Sequence, residues 1–219
     1  MRKLIAITQL SLDGVMQAPG GPDEDRASGF THGGWFMQFE DDAVLQAMGK
    51  LISGKFDLLL GRRTYDIFAN YWPKHDDNPI GKAFNKATKY IVTSSARGLD
   101  WKTSERISGK VADGVLRLKA TKGPALHVWG SSELLQALIK AGLVDEHQLW
   151  VAPVVLGYGK RLFEPGSPPQ RMKLMNAKIG SGGLVVGTYR PDGPLPENKF
   201  SKAKPAAKKR ASKGARRAR

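Results

Sequence analysis

Short apolar runs alternate with amphipathic segments along most of the chain. The apolar runs are typical of strands and lie at 3–11, 56–60, 89–93, 125–129 and 146–151, with a shorter one near 106–107. Apolar residues at helical spacing predict helices that lie at 40–53, 62–72, 111–119 and 133–141. Glycines at 180–183 separate two last strand-like segments and predict a closing hairpin. The pattern predicts an α/β fold with a mostly parallel sheet and an antiparallel C-terminal hairpin.

The stretch from Phe56 to Tyr65 predicts a buried strand that runs directly into a helix. Leu58–Leu60 is a short continuous apolar run, which is typical of a strand covered on both faces. Gly61 permits a tight turn, and Arg62–Thr64 follow where the unpaired N–H groups of a starting helix lie. Such a position favours an anion, and two guanidinium groups favour phosphate. A plain junction with two solvated arginines is the alternative that this stretch leaves open.

Two other strand ends carry small polar residues. Gly130–Ser132 follows one strand, and a serine there is a natural N-cap for the next helix. Thr93–Ser95 follows another strand and offers hydroxyl groups to a phosphate on a ribose. Because the carboxyl ends of parallel strands share one edge of a sheet, these residues and Gly61–Thr64 are expected to face one crevice. Two adjacent anion sites suit the two linked phosphates of a dinucleotide, so the sequence predicts that the crevice binds a dinucleotide.

A long loop at 15–39 precedes the first helix. It is rich in Gly, Pro and Asp, and a loop of this length in a domain is often a lid or a binding loop. A disordered insertion is disfavoured because it would expose Trp35, Phe36 and Phe39. Asp41 and Asp42 begin the helix, where a role as helix-start charges is favoured over their alternative role as catalytic acids.

The net charge of +15 is concentrated at the C-terminus, where ten Lys and Arg residues and no acid follow Glu197. From Pro191 onward the composition turns to Lys, Ala, Arg, Pro and Ser without apolar periodicity. This change predicts a domain at 1–190 and a basic, disordered tail at 191–219. Residues 198–219 suit salt-sensitive, non-specific contact with nucleic acid, and a solvated tail without a partner is the alternative.

Composition also excludes some chemistry. The chain has no cysteine, which excludes disulfides, thiolate metal sites and a cysteine nucleophile. The four histidines lack the paired spacing of a metal site, so no metal is predicted. The apolar run at 4–7 is too short for a signal peptide or a membrane span, which predicts a cytoplasmic protein. Redox chemistry would need a bound cofactor.

The ordered motifs resemble the dihydrofolate reductase-like superfamily. Within it, the chain is more similar to the branch that contains the reductase domain of the bifunctional riboflavin-biosynthesis deaminase/reductase. The similar segments span 2–190 in order and lie at 11–14, 60–65, 92–95, 128–132, 142–146 and 153–163. The resemblance implies a three-layer α/β fold and, as in many relatives, a homodimer.

The resemblance further implies hydride transfer from NADPH to a pyrimidine- or pteridine-type small molecule. The implied cofactor-binding residues are Gly61, Arg62, Arg63, Thr64, Thr93, Ser94, Ser95, Gly130, Ser131 and Ser132. Asp13 and Trp35 are expected at the two ends of a lid over nicotinamide and substrate. The first helix carries Gln46, Met48 and Lys50 where relatives carry an acid or arginines, so the substrate stays open. The alternative is an inactive reductase fold whose basic tail binds nucleic acid.

Overall fold

The computed structural model describes residues 1–39 and 41–196, along which eight strands and five helices alternate. The strands are β1 (Leu4–Ser11), β2 (Phe56–Gly61), β3 (Lys89–Val92), β4 (Ser104–Ile107), β5 (Ala125–Trp129), β6 (Glu146–Ala152), β7 (Met172–Ile179) and β8 (Val185–Pro191). The helices are α1 (Asp42–Ser53), α2 (Arg62–Tyr71), α3 (Pro79–Lys86), α4 (Val111–Ala120) and α5 (Ser132–Lys140).

All eight strands form one sheet in the order β4-β3-β2-β5-β1-β6-β8-β7. Strands β1 to β6 pair in parallel, whereas β8 is antiparallel to both β6 and β7. The predicted parallel sheet with an antiparallel C-terminal hairpin is confirmed. The parallel arrangement directs the carboxyl ends of β1 to β6 toward a single edge of the sheet.

Helices cover both faces of the sheet and give the three layers. Leu58 and Leu60 point into a core that α1, α2 and α3 complete, and Leu59 points into a second core completed by α4 and α5. All three leucines are fully buried, as the continuous apolar run predicts for a central parallel strand. Burial of each such side chain contributes about 1.5–3 kcal/mol.

Helix α3 is an element that the periodicity did not reveal. Its start carries a strong local signal, because the side chain of Asn78 accepts a hydrogen bond from the amide of Gly81 at 2.9 Å and Pro79 occupies the first position. Phe84 is its main contribution to the core. The helix has eight residues, too few for a clear repeat of 3.6.

The last strand, β8, ends at Pro191, where Pro191 pairs with Met172. Just beyond it, the amide of Arg171 donates to the carbonyl of Gly193 at 2.8 Å. Within the described residues, no helix is long and apolar enough to cross a membrane. Of the predicted basic tail at 191–219, the part from 197 on, and with it the nucleic-acid contact at 198–219, lies outside the described residues.

Candidate active site

A cleft of about 950 Å³ opens where α2 and α5 begin. β2 and β5 are parallel neighbours, with Leu58 opposite His127. Because the two strands end at the same edge, the first turns of both helices line the same cleft. The predicted binding residues that line it are Gly61, Arg62, Arg63, Thr64, Gly130, Ser131 and Ser132.

The side chain of Ser131 joins the two strand-to-helix turns. Its Oγ accepts a hydrogen bond from the amide of Gly61 at 3.1 Å and donates one to the carbonyl of Trp129 at 3.3 Å. Gly130 and Ser131 both have left-handed backbone, with φ of 56° and 57°. A side chain is strained in this region, which gives glycine a reason to stand at 130. The conformation of the second turn is therefore fixed by contact with the first.

The starts of both helices are open toward the cleft. Ser131 stands at the predicted N-cap position of α5. It makes no capping hydrogen bond, because its hydroxyl is engaged with Gly61 and Trp129. Among the described residues, no side chain caps α2 or α5. Unsatisfied amides at the positive end of a helix dipole favour a bound anion.

Gly61 does not supply an unusual backbone conformation to the turn. Its φ is −73°, which any residue adopts, so the turn does not require glycine at this position. A Cβ at this position would lie 3.6 Å from Ser131 and 3.7 Å from Leu134, which is ordinary contact. What Gly61 contributes is the amide that holds Ser131.

Arg62 connects α2 to the loop after β3. Its Nε donates to both carboxylate oxygens of Asp66 at 2.9 Å, and its Nη1 donates to the carbonyl of Arg97 at 2.6 Å. Val92 lines the cleft, whereas Thr93–Ser95 lie just outside its lining, in the loop that leads to Arg97. The guanidinium group thus lies between the helix start and the predicted ribose-side hydroxyls.

Arg63 points to the opposite side, toward the long loop. Its Nη1 lies 2.9 Å from Oδ2 of Asp25, and Nζ of Lys160 lies 2.7 Å from the same oxygen. Burial raises the pKa of Asp25, but the Lys160 hydrogen bond, the amide of Ala27 and the charges of Lys160 and Arg63 outweigh it, so the pKa is lowered. Asp25 and Lys160 were not predicted as site residues. They lie 135 residues apart, and although Lys160 falls in the similar segment at 153–163, no local pattern pairs it with Asp25.

Trp35 lies near the far end of the long loop and anchors it in the core. The ring is 5% exposed, and its Nε1 donates to the carbonyl of Gln17 at 2.9 Å. On either side of it, the amide of Gly34 donates to Ala18 at 2.8 Å and the amide of Phe36 donates to Pro19 at 3.1 Å. Residues 20–33 therefore form a loop whose two ends are hydrogen-bonded to each other at its neck, Ala18–Pro19 and Gly34–Phe36. Met16–Pro19 and Glu24–Ala27 form one wall of the cleft.

Asp13 holds the loop after β6 and does not line the cleft. Its carboxylate accepts hydrogen bonds from the hydroxyl of Ser11 at 2.6 Å and from the amides of Leu156 at 3.1 Å and Gly157 at 2.9 Å. Burial raises the pKa of Asp13, but these bonds outweigh it and the pKa is lowered. The arrangement positions the end of β1 against the loop that follows β6.

Asp41 and Asp42 also lie outside the lining of the cleft. Oδ1 of Asp41 accepts from the amides of Ala43 at 2.8 Å and Val44 at 3.3 Å, which is an N-cap. Asp42 is exposed in the first turn of α1. This geometry agrees with the helix-start role and gives neither residue access to a ligand in the cleft.

Lys50 lines a separate pocket of about 220 Å³ between α1 and the strands β6, β7 and β8. It therefore lies apart from the arginines and helix starts of the main cleft. Within the described residues, no three His, Asp or Glu side chains are placed to hold a metal ion.

The strand order and the helices on both faces of the sheet define a protein with a dihydrofolate reductase-like fold. The chain belongs to the RibD C-terminal domain family, whose model matches residues 2–186. Among similar proteins is the Bacillus subtilis (strain 168) protein YyaP, which is 26% identical over 196 residues, 88% of this chain and 96% of YyaP.

Two solved structures have the same fold. A protein of Shewanella sp. PV-4, whose name refers to riboflavin biosynthesis, is 20% identical with a TM-score of 0.58, over 87% of this chain and 99% of its own. Dihydrofolate reductase of Enterococcus faecalis, complexed with NADP(H), is 14% identical with a TM-score of 0.55, over 87% of this chain and 96% of its own. The three-layer dihydrofolate reductase-like fold is thereby confirmed.

Proposed function

We propose that this chain is an NADPH-dependent reductase that transfers a hydride to a pyrimidine- or pteridine-type small molecule. The observation that carries the proposal is that two uncapped helix starts and two arginines meet in one cleft. Two adjacent sets of open amides suit two linked phosphates, whereas one set would suit an isolated phosphate. Membership of the RibD C-terminal domain family and the fold shared with an NADP(H)-bound reductase support the same choice.

The residues of the cleft fit such a cofactor. The amides at the starts of α2 and α5 would hold the pyrophosphate, and Arg62, which lies toward the loop after β3, would hold the 2′-phosphate. Once bound, the cofactor supplies a hydride from its dihydronicotinamide ring.

The long loop gives the cleft a fixed wall. Gln17 is 4% exposed, and its Nε2 donates to the carbonyls of Asp25 at 3.1 Å and Ala27 at 3.0 Å. Its Oε1 accepts from the amide of Lys160 at 2.9 Å. One buried amide thus joins the loop to the segment after β6. A wall held in this way orients a ligand and excludes water from hydride transfer.

Titration of the purified protein with NADPH, followed by cofactor fluorescence, tests the proposal. We expect saturable binding at micromolar concentrations, tighter than that of NADH. Gly130→Val should weaken binding at least tenfold, because a β-branched side chain is strained at φ 56° and would disturb the turn that faces Thr64. Gly142→Val is the matched control, since Gly142 has φ 64° but ends α5 away from the cleft. Failure to saturate with either nucleotide would contradict the proposal.

Asp25 competes with an anionic ligand for Arg63. Removal of its charge in Asp25→Asn should tighten NADPH binding by about threefold, because the ion pair with Arg63 no longer has to be exchanged. Isothermal calorimetry of NADPH binding measures the change, and 0.5 M salt should shrink it. Asp192→Asn removes an exposed acid that pairs with Arg171 away from the cleft and should leave the affinity unchanged. Weaker binding by Asp25→Asn would mean that Asp25 positions Arg63 for the ligand instead.

A further inference from the structure

Four carboxyl groups line the cleft, and they differ in their surroundings. Asp25 and Asp66 are each paired with an arginine of α2. Glu133 is exposed at the start of α5. Glu24 differs from all three, because it is half-buried and no described residue supplies it with a cationic partner within ion-pair distance. Of the four, Glu24 is the group best placed to carry a proton in the cleft.

Backbone amides hold Glu24 in a defined orientation. Its Oε2 accepts hydrogen bonds from the amides of Gly20 at 2.7 Å and Gly21 at 3.2 Å. Both donors bind the same oxygen, so a proton on the carboxyl belongs on Oε1. Among the described residues none is hydrogen-bonded to Oε1, which leaves it for a ligand in the cleft.

Burial raises the pKa of Glu24 above its ordinary value, and the negative charge of Asp25 adds to this. The hydrogen bonds from Gly20 and Gly21 act in the opposite direction without cancelling it. The charged groups around it come from three segments: Asp23, Asp25 and Arg26 on the same loop, Arg63 on α2, and Lys160 after β6. Of these, Asp25 pairs with both Arg63 and Lys160, so its negative charge offsets one of their two positive charges.

We propose that Glu24 is the general acid of the reduction. This assignment rests on the proposed function. Hydride from the nicotinamide cofactor adds to the carbon of a C=N bond in the substrate, and the π electron pair of that bond moves to nitrogen. The proton on Oε1 of Glu24 then passes to this nitrogen, which leaves the amine product and a Glu24 carboxylate that regains its proton from water. A carboxyl with a raised pKa is suited to this role because it is still protonated when the hydride arrives.

The first arm of the test uses the cofactor-free protein. Infrared spectra recorded during a pH titration separate the C=O stretch of a protonated carboxyl from carboxylate bands. In the wild type, one carboxyl should stay protonated to a higher pH than an ordinary glutamate does. Glu24→Gln should remove this band, and Glu105→Gln, the same change on exposed β4, should retain it. A spectrum that Glu24→Gln leaves unchanged overturns the proposal.

The second arm measures reduction by NADPH of 7,8-dihydropterin, which has a C=N bond, or of 5-amino-6-(5-phosphoribosylamino)uracil, which has one in its ring-opened imine form. Glu24→Gln should lower kcat by about 10²-fold or more. Its Kd for NADPH should stay at the wild-type value, because glutamine still offers an oxygen to the amides of Gly20 and Gly21. A merely structural role would change binding and kcat together.

The outcomes separate the two proposals. An active wild type with an equally active Glu24→Gln overturns the role of Glu24 alone. A wild type that neither binds NADPH nor reduces either acceptor overturns the proposed function. If the wild type binds NADPH but reduces neither acceptor, the infrared arm decides on Glu24.

Discussion

Acidification from pH 7 to pH 4 is expected to destabilise the protein by several kcal/mol through two buried histidines. Burial lowers the pKa of His127 and of His147 from 6.5 to about 4. The unfolded chain binds these protons near pH 6.5, whereas the folded protein resists them until about pH 4. The stability that the neutral rings contribute is therefore complete above pH 6.5 and is lost as the pH falls through this window. Each shift corresponds to about 3 kcal/mol.

The surroundings of both rings explain why protonation is costly. His127 stacks on Phe56 with ring centroids 4.5 Å apart, and its Nδ1 has no hydrogen-bond partner within the described residues. His147 is fully buried, and neither ring nitrogen has a partner there. The carboxylate of Glu146 opposes the shift of His127 only in part. A charge on either ring would thus be desolvated with little compensation.

Urea unfolding at pH 7 and pH 5 measures this effect. His127→Leu and His147→Leu should each flatten the pH dependence, and the double variant should flatten it most. The readout is the change in the free energy of unfolding between the two pH values. A loss of stability from repacking that is equal at both pH values does not affect this difference. His32→Leu changes an exposed histidine and should keep the wild-type slope. A double variant as acid-sensitive as the wild type would show that other groups dominate.

Replacement of Arg62 is expected to separate NADPH from NADH. Arg62→Ala should weaken NADPH binding on the order of tenfold or more, because charge-assisted hydrogen bonds to a phosphate are lost. NADH, which lacks the 2′-phosphate, should bind nearly as before. Arg63→Ala should weaken both nucleotides alike, since Arg63 lies toward the loop that carries Asp25, away from the loop after β3.

Fluorescence titration of both nucleotides against each variant checks this division of roles. Arg171→Ala is the control, because Arg171 is also a surface arginine paired with an aspartate, Asp192, but lies at the far edge of the sheet. Equal losses for NADPH and NADH in Arg62→Ala would mean that Arg62 contacts a part common to both.

The sequence alone was sufficient for the fold class and for one half of the cleft. Continuous apolar runs such as Leu58–Leu60 can be satisfied only by a strand covered on both faces or by a buried helix, and the flanking helices favour the strand. Parallel strands must then end at one edge, so the residues that follow β2 and β5 had to meet. Local pattern and a general rule of sheet topology are enough for this step.

Other features depended on how particular side chains pair. The hydroxyl of Ser131 had a local alternative as a helix cap, and only its contact with Gly61, 70 residues away, shows why it leaves the amides of α5 open. Trp35 was predictable as a buried residue, but its place in the neck of the loop depends on Gln17. Helix α3 was too short for its period to be visible, although Asn78 and Pro79 mark its start.

The sequence by itself therefore determined the mostly parallel sheet, the order of its motifs and the strand ends at Gly61 and Gly130 that line the cleft. Only the tertiary structure decided which acids reach the cleft. It places Glu24 and Asp25 in the cleft wall and leaves Asp13, Asp41 and Asp42 outside it. The physical reason is that the hydrophobic period and the residue preferences at a helix start reflect interactions over a few residues. The path of an irregular loop is instead set by contacts between residues far apart in the sequence. The Asp25 bonds to Arg63 and Lys160 span 38 and 135 residues, and no local pattern encodes them.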